Sequence, residues 1–172
     1  MPEEYKTRRS ILFICAIPFI ICIWKWRISG KALAVYVILL LLCEAAWEDA
    51  RTKRIPNGIV LGIAAAGIFS IPFFPEITLT DRGIGIFCVS VPLLVITLAV
   101  PGSFGGGDIK LMAASGIYLG WEANLRAFAL AVFAAGGFCI WKLLGKQLNR
   151  RERIAFGPFL CAGIIVEMLI SS

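Results

Sequence analysis

Seven apolar runs, at about 11–24, 32–47, 58–74, 84–100, 109–119, 123–141 and 158–170, take up most of the 172 residues, and most of the charge falls in the joints between them. Helices that are apolar on every side cannot be exposed to water, whereas a bilayer accepts them because their backbone groups are satisfied internally. Charged residues make up 16% of the chain, against about one quarter in soluble domains. The expected fold is therefore all-α: a polytopic integral membrane helical bundle with about six to seven transmembrane helices. One domain, 1–172, is expected, with an N-terminal span at about 11–26 added to a helical core at about 32–170. The run at 109–119 is too short to cross ~30 Å of hydrocarbon unless it borrows residues from Gly105–Asp108 or Gly120–Trp121. The first run follows Lys6, Arg8 and Arg9 and leads into Trp24-Lys25-Trp26-Arg27 instead of a small-residue cleavage site, so it reads as a retained signal anchor.

Composition removes several chemistries. With no histidine, Ser-His-Asp and Cys-His catalysis and every His-bearing zinc site are excluded. The six cysteines stand singly in apolar runs with no C-x-x-C pair, as small hydrophobes do, so neither a metal nor a disulfide scaffold is expected. Roughly 12 of the 17 basic residues belong to the start, the Arg51-Lys53-Arg54 joint, Lys110 and the 142–157 loop. These alternate to one side, which the positive-inside rule makes cytoplasmic, although Lys25, Arg27 and Lys31 oppose the tally. The net charge of +6 then suits anionic lipid head groups and implies no nucleic acid.

Carboxylates remain as the reactive groups. Glu44, Glu48, Asp49, Asp108 and Glu167 lie in or beside apolar runs, where an ionisable group is costly. The topology places Asp49 and Asp108 at the same ends of two helices separated by one helical hairpin, so they can face each other. Two facing carboxyls in a partly desolvated site share a proton, and that is the apparatus of aspartyl proteolysis: the ionised member activates water and the protonated member donates to the carbonyl oxygen. The plainer reading is that each aspartate caps a helix or reaches the interface. Asp108 ends Pro101-Gly102-Ser103-Phe104-Gly105-Gly106-Gly107-Asp108, whose glycines permit unusual dihedrals and close backbone approach, or serve as a flexible joint.

Together these segments resemble the type IV prepilin peptidase family, a GxGD-type aspartyl group. Asp49-Ala50-Arg51-Thr52-Lys53-Arg54-Ile55-Pro56-Asn57 matches its D-x5-I-P-N element, and Gly105-Gly106-Gly107-Asp108-Ile109-Lys110 its G-x-G-D-x-K element. Phe156-Gly157-Pro158-Phe159-Leu160 is similar to its third block, and the likeness extends over 44–170. The resemblance implies catalysis by Asp49 and Asp108 and supporting or substrate-binding places for Gly105, Gly106, Gly107, Lys110, Pro56, Asn57, Gly157 and Pro158. It implies no metal or other cofactor. The implied activity is cleavage, after a glycine, of the basic leader of prepilin-like proteins at the cytoplasmic face of the bacterial inner membrane. Larger members also methylate the product and carry two C-x-x-C pairs between their first spans. Here only Trp24–Lys31 joins those spans, so a short peptidase-only member without S-adenosylmethionine is expected.

The supporting residues have simpler readings as well. Pro56 and Pro158 suit helix entry. Asn57 is a candidate N-cap, and Lys110 reaches lipid phosphate or tunes Asp108. Glu44 and Glu48 read as structural, and Glu167 receives no role. Two other functions fit the pattern less well. A GxGD protease that cuts within transmembrane helices would not need the I-P-N and F-G-P elements, and a proton- or cation-coupled transporter would place its carboxylates nearer mid-membrane.

Overall fold

A computed structural model of the chain describes residues 30–145 and 155–171, and the expected span at 11–26 lies outside them. The described residues form α1 (Gly30–Thr52), α2 (Asn57–Phe69), a 3₁₀ turn (Ile71–Phe73), α3 (Leu79–Ala99), α4 (Gly106–Leu144) and α5 (Gly157–Ile170). The fold among them is all-helical, as expected.

Local sequence explains most of the boundaries. α1 ends where Lys53 turns left-handed (φ 55°), its N–H still donating to Asp49 O at 2.9 Å. Pro56, extended at the N-cap, then starts α2, so Asn57 is the first helical residue and not the N-cap that its type suggested. α2 stops at Phe69, short of the apolar run at 58–74, because Pro72 disfavours helix at the preceding residue and cannot supply an N–H. α3 starts earlier than its apolar run: Thr78 and Asp81 form a reciprocal capping box, with Asp81 N–H donating to Thr78 Oγ1 at 3.1 Å.

α4 is not a straight rod. A straight helix of its 39 residues would extend ~58 Å. Yet Ser115 Oγ donates to Asn124 Oδ1 at 2.8 Å, and Asn124 Nδ2 donates to Met112 O at 3.0 Å. Those contacts require the chain to fold back at Gly120, whose φ of 77° and ψ of 177° are non-helical. A first arm, 106–119, therefore lies beside a second arm, 121–144, as the two separate apolar runs at 109–119 and 123–141 anticipated.

Glycines set the closest packing. Gly85 of α3 meets Gly116 of the first arm backbone to backbone, and Gly163 of α5 abuts the Ala127 carbonyl of the second arm. The core between the helices includes Ile38, Leu42, Ile63, Leu93, Leu111 and Ile164, while residues such as Leu61, Phe87, Leu98 and Phe133 face outward. α1, α3 and, in its second arm, α4 are long and apolar enough to cross a membrane; α2 and α5, at 13 and 14 residues, are shorter.

The bundle has two distinct ends. One gathers the end of α1 and the starts of α2, α4 and α5. At the other, Lys31 pairs with Glu76 at 3.0 Å and Arg82 is buried against three segments. Its guanidinium donates to the carbonyls of Ile117 (2.7 Å), Phe74 (3.3 Å) and Gly67 (3.4 Å) and to Ser70 Oγ (3.1 Å). Every one of these acceptors is uncharged, so this cation is stabilised by carbonyl and hydroxyl dipoles.

Candidate active site

Asp49 sits in the last turn of α1 and is 6% exposed. Because Lys53 turns the chain immediately afterwards, its side chain remains inside the bundle end and meets the start of α5. The Gly157 N–H donates to Asp49 Oδ2 at 2.9 Å. The approach requires glycine: a β-carbon on residue 157 would stand 2.6 Å from Oδ2 and 2.8 Å from Cγ of Asp49.

Asp108 enters from α4. Gly105 is the N-cap, which leaves Asp108 in the first turn, not at the cap, and 8% exposed. Its Oδ1 is the one buried side-chain polar atom without a hydrogen-bond partner among the described residues. A carboxyl oxygen left so is costly. The Asp49 and Asp108 carboxylates lie within electrostatic range of each other and of the buried Cys161 of α5.

The three glycines before Asp108 play different parts. Gly105 faces Asp108 Oδ2, with 3.1 Å between that oxygen and an added β-carbon. Gly106 faces open space. Gly107 packs on Ile55, where a β-carbon would stand 3.1 Å from the Ile55 Cβ. None of the three has a positive φ; in this segment the left-handed glycine is Gly102, at φ 87°. The run thus shows both expected features, the unusual dihedral at Gly102 and close approach at Gly105 and Gly107.

Around the carboxyls, Lys110 Nζ donates to Asn57 Oδ1 at 3.1 Å, tying the start of α4 to that of α2. Both residues, with Pro56, lie on the exposed rim, together with Arg51, Lys53 and Arg54. Pro158 occupies the first turn of α5, where its missing N–H has no helical partner to lose. Phe104 and Phe156 pack at 5.8 Å between ring centroids with their planes tilted by 55°, and Phe128 is edge-on to Phe156 at 6.5 Å. Glu44 is exposed, and Glu167 is at the far end of α5, where it accepts from Arg126 Nε at 2.7 Å. Sequence reasoning gave Cys161, Ile55 and the Gly157 amide no specific part. For the amide, the signal was available in a small residue followed by proline at a helix start.

Fold and site together define a helical chain of membrane type with a pair of buried carboxyls at one bundle end. Residues 33–140 match the type IV leader peptidase family, and the chain belongs to that family. It is 29% identical over 142 residues to a prepilin leader peptidase/N-methyltransferase of Burkholderia pseudomallei, covering 78% of this chain and 45% of that protein. A protein of the same description from Bacillus subtilis is 30% identical over 152 residues, covering 84% and 58%. One from Escherichia coli is 25% identical over 144 residues, covering 78% and 62%. The chain spans about half the length of the curated relatives it matches. No solved structure matches it.

Proposed function

We propose that this chain is a membrane aspartyl endopeptidase that removes the basic leader of type IV prepilin-like proteins, with Asp49 and Asp108 as the catalytic pair. The observation that carries the reading is that these two aspartates, from different helices, are buried at one bundle end with their carboxyls in electrostatic range. Family membership and the names of its relatives support the leader-peptidase part of the reading.

In the proposed reaction the pair holds one proton. The ionised carboxylate takes a proton from water as the water oxygen bonds to the scissile carbonyl carbon, and the protonated carboxyl gives its proton to the carbonyl oxygen. As the tetrahedral species collapses, the first carboxyl passes its proton to the leaving nitrogen and the C–N bond breaks. The second carboxylate recovers a proton from the diol, which restores the original state of the pair. Neither metal nor organic cofactor takes part.

The site faces the cytoplasm in this reading, because Arg51, Lys53, Arg54 and Lys110 surround it on the exposed rim. Cleavage after a glycine suits a site entered past Gly105 and Gly106, since a substrate residue without a side chain lets its carbonyl approach both carboxyls. The chain is read as a peptidase alone, because the joint between its first two apolar runs carries no C-x-x-C pair.

Co-expression with a candidate prepilin, scored by mobility shift and by sequencing the new N-terminus, tests this. The wild type should cut in the polar leader, and Asp49→Asn and Asp108→Asn should each abolish the cut while the protein remains inserted. Processing retained in either variant contradicts the aspartyl pair, and a cut within the apolar segment contradicts the leader assignment.

A further inference from the structure

The two carboxyls differ in their surroundings. Asp49 Oδ2 accepts the Gly157 N–H at 2.9 Å, whereas Asp108 Oδ1 is buried with no donor. Asp108 Oδ2 faces the Gly105 backbone, so the contrast lies in the bare, buried Oδ1: of two carboxyls that share one proton, the one with an N–H held at hydrogen-bond distance keeps the negative charge better, and the one with an unpartnered buried oxygen keeps the proton. The donor is a backbone group in the first turn of α5, where N–H groups have no helical acceptor and are directed out of the helix end. Pro158 follows it and Phe156 beside it packs against Phe104, so the chain is constrained on both sides of this amide.

We propose that the Gly157 N–H is the positioning group of the pair: by donating to Asp49 Oδ2 it makes Asp49 the carboxylate that activates water and leaves Asp108 as the proton donor to the carbonyl oxygen. This rests on the peptidase reading above and adds to it a division of labour and the residue that imposes it. Gly157 acts through Asp49 and does not itself touch substrate in this scheme. The bare α-carbon is part of the device, since any β-carbon at 157 would press on the carboxyl it orients. The charged or titratable groups facing Asp49 are Asp108 of α4, Cys161 of α5 and Lys53 just past the end of its own helix.

Gly157→Ala should lower kcat about 10- to 100-fold, the scale of one charge-assisted hydrogen bond, with KM within about threefold of wild type. Because a weakened donor stabilises the carboxylate less, the acid limb of the rate profile should move to higher pH. A loss confined to KM, an unmoved acid limb or wild-type kcat would each overturn the proposal. A second measurement needs no substitution. In wild-type protein labelled with ¹⁵N-glycine, the Gly157 amide signal should shift over the same pH range as the acid limb, and an amide indifferent to pH there would overturn the assignment. Asp49→Asn and Asp108→Asn, assayed alongside, separate the two levels. Activity in those variants sinks the peptidase reading itself, whereas inactivity in them with a silent Gly157 amide sinks only the division of labour.

Discussion

Gly107 of α4 lies against Ile55 of the α1–α2 joint so closely that a methyl group on the glycine would stand 3.1 Å from Ile55 Cβ and 3.2 Å from its backbone nitrogen. The contact fixes the distance between the chain segments that carry the two aspartates. Gly107→Ala should push them apart, destabilising the protein by about 1–3 kcal/mol and reducing leader cleavage further than the loss of folded protein explains. Gly106→Ala, which meets open space, should retain the stability of the wild type. Unfolding in detergent and cleavage per folded molecule, measured on both variants, check the contrast.

The hairpin in α4 depends on a buried asparagine. Asn124 is fully buried, accepts from Ser115 Oγ, and donates to the carbonyls of Met112 at 3.0 Å and Gly85 at 3.1 Å. Asn124→Ala should destabilise by about 1–3 kcal/mol, because the Gly85 carbonyl loses its Asn124 donor and Ser115 Oγ is left with Met112 O as its acceptor. Gly120→Ala should destabilise by a similar ~1–3 kcal/mol, since residue 120 is at φ 77° and an added β-carbon would stand 3.0 Å from Ile77 Cγ2. Thermal unfolding of the purified variants measures both losses.

Arg82 organises the end of the bundle opposite the aspartates, joining α3 to the end of α2 and to the first arm of α4. Arg82→Lys keeps the charge but cannot reproduce donation in several directions at once, so it should recover only part of the stability lost in Arg82→Ala. A comparison of the two unfolding temperatures decides this. Equal stability of the lysine variant and wild type would show that charge alone matters there.

Glu167 is buried and pairs with a half-exposed Arg126, which also bonds Glu122 one turn earlier in its own helix. Arg126→Leu should destabilise by less than the ~3–5 kcal/mol of a fully buried broken pair, because water already reaches one side of the guanidinium. Adding Glu167→Leu should return much of that loss by removing the stranded carboxylate. A double-mutant cycle on thermal unfolding measures the coupling.

The helices were legible in sequence, and the candidate aspartates could be singled out there, because both readings rest on local patterns. Apolar runs bounded by charge marked the helices, and the D-x5-I-P-N and G-G-G-D-I-K segments marked the aspartates. What escaped depends on contacts between distant segments. Glu167 could not be given a role until the fold placed Arg126 beside it, and Asn57 looked like a cap although its side chain is bound by Lys110. The glycines of the 101–108 run suggested both unusual dihedrals and close approach, and the first is found at Gly102 while Ile55 and the Asp108 carboxyl, the groups that approach Gly107 and Gly105, emerged only from the fold. Pro72, which shortens α2, and the Thr78–Asp81 cap, which lengthens α3, were readable from sequence but were masked by the stronger hydrophobic signal.

Paired-cysteine crosslinking tests most directly whether residues 49 and 108 meet at one end of the bundle. In a background with the native cysteines replaced, Asp49→Cys combined with Asp108→Cys should be joined rapidly by a short thiol-reactive crosslinker, while either substitution alone gives no intramolecular product. Failure to crosslink, with each thiol labelled from an opposite surface of sealed membrane vesicles, would contradict the account.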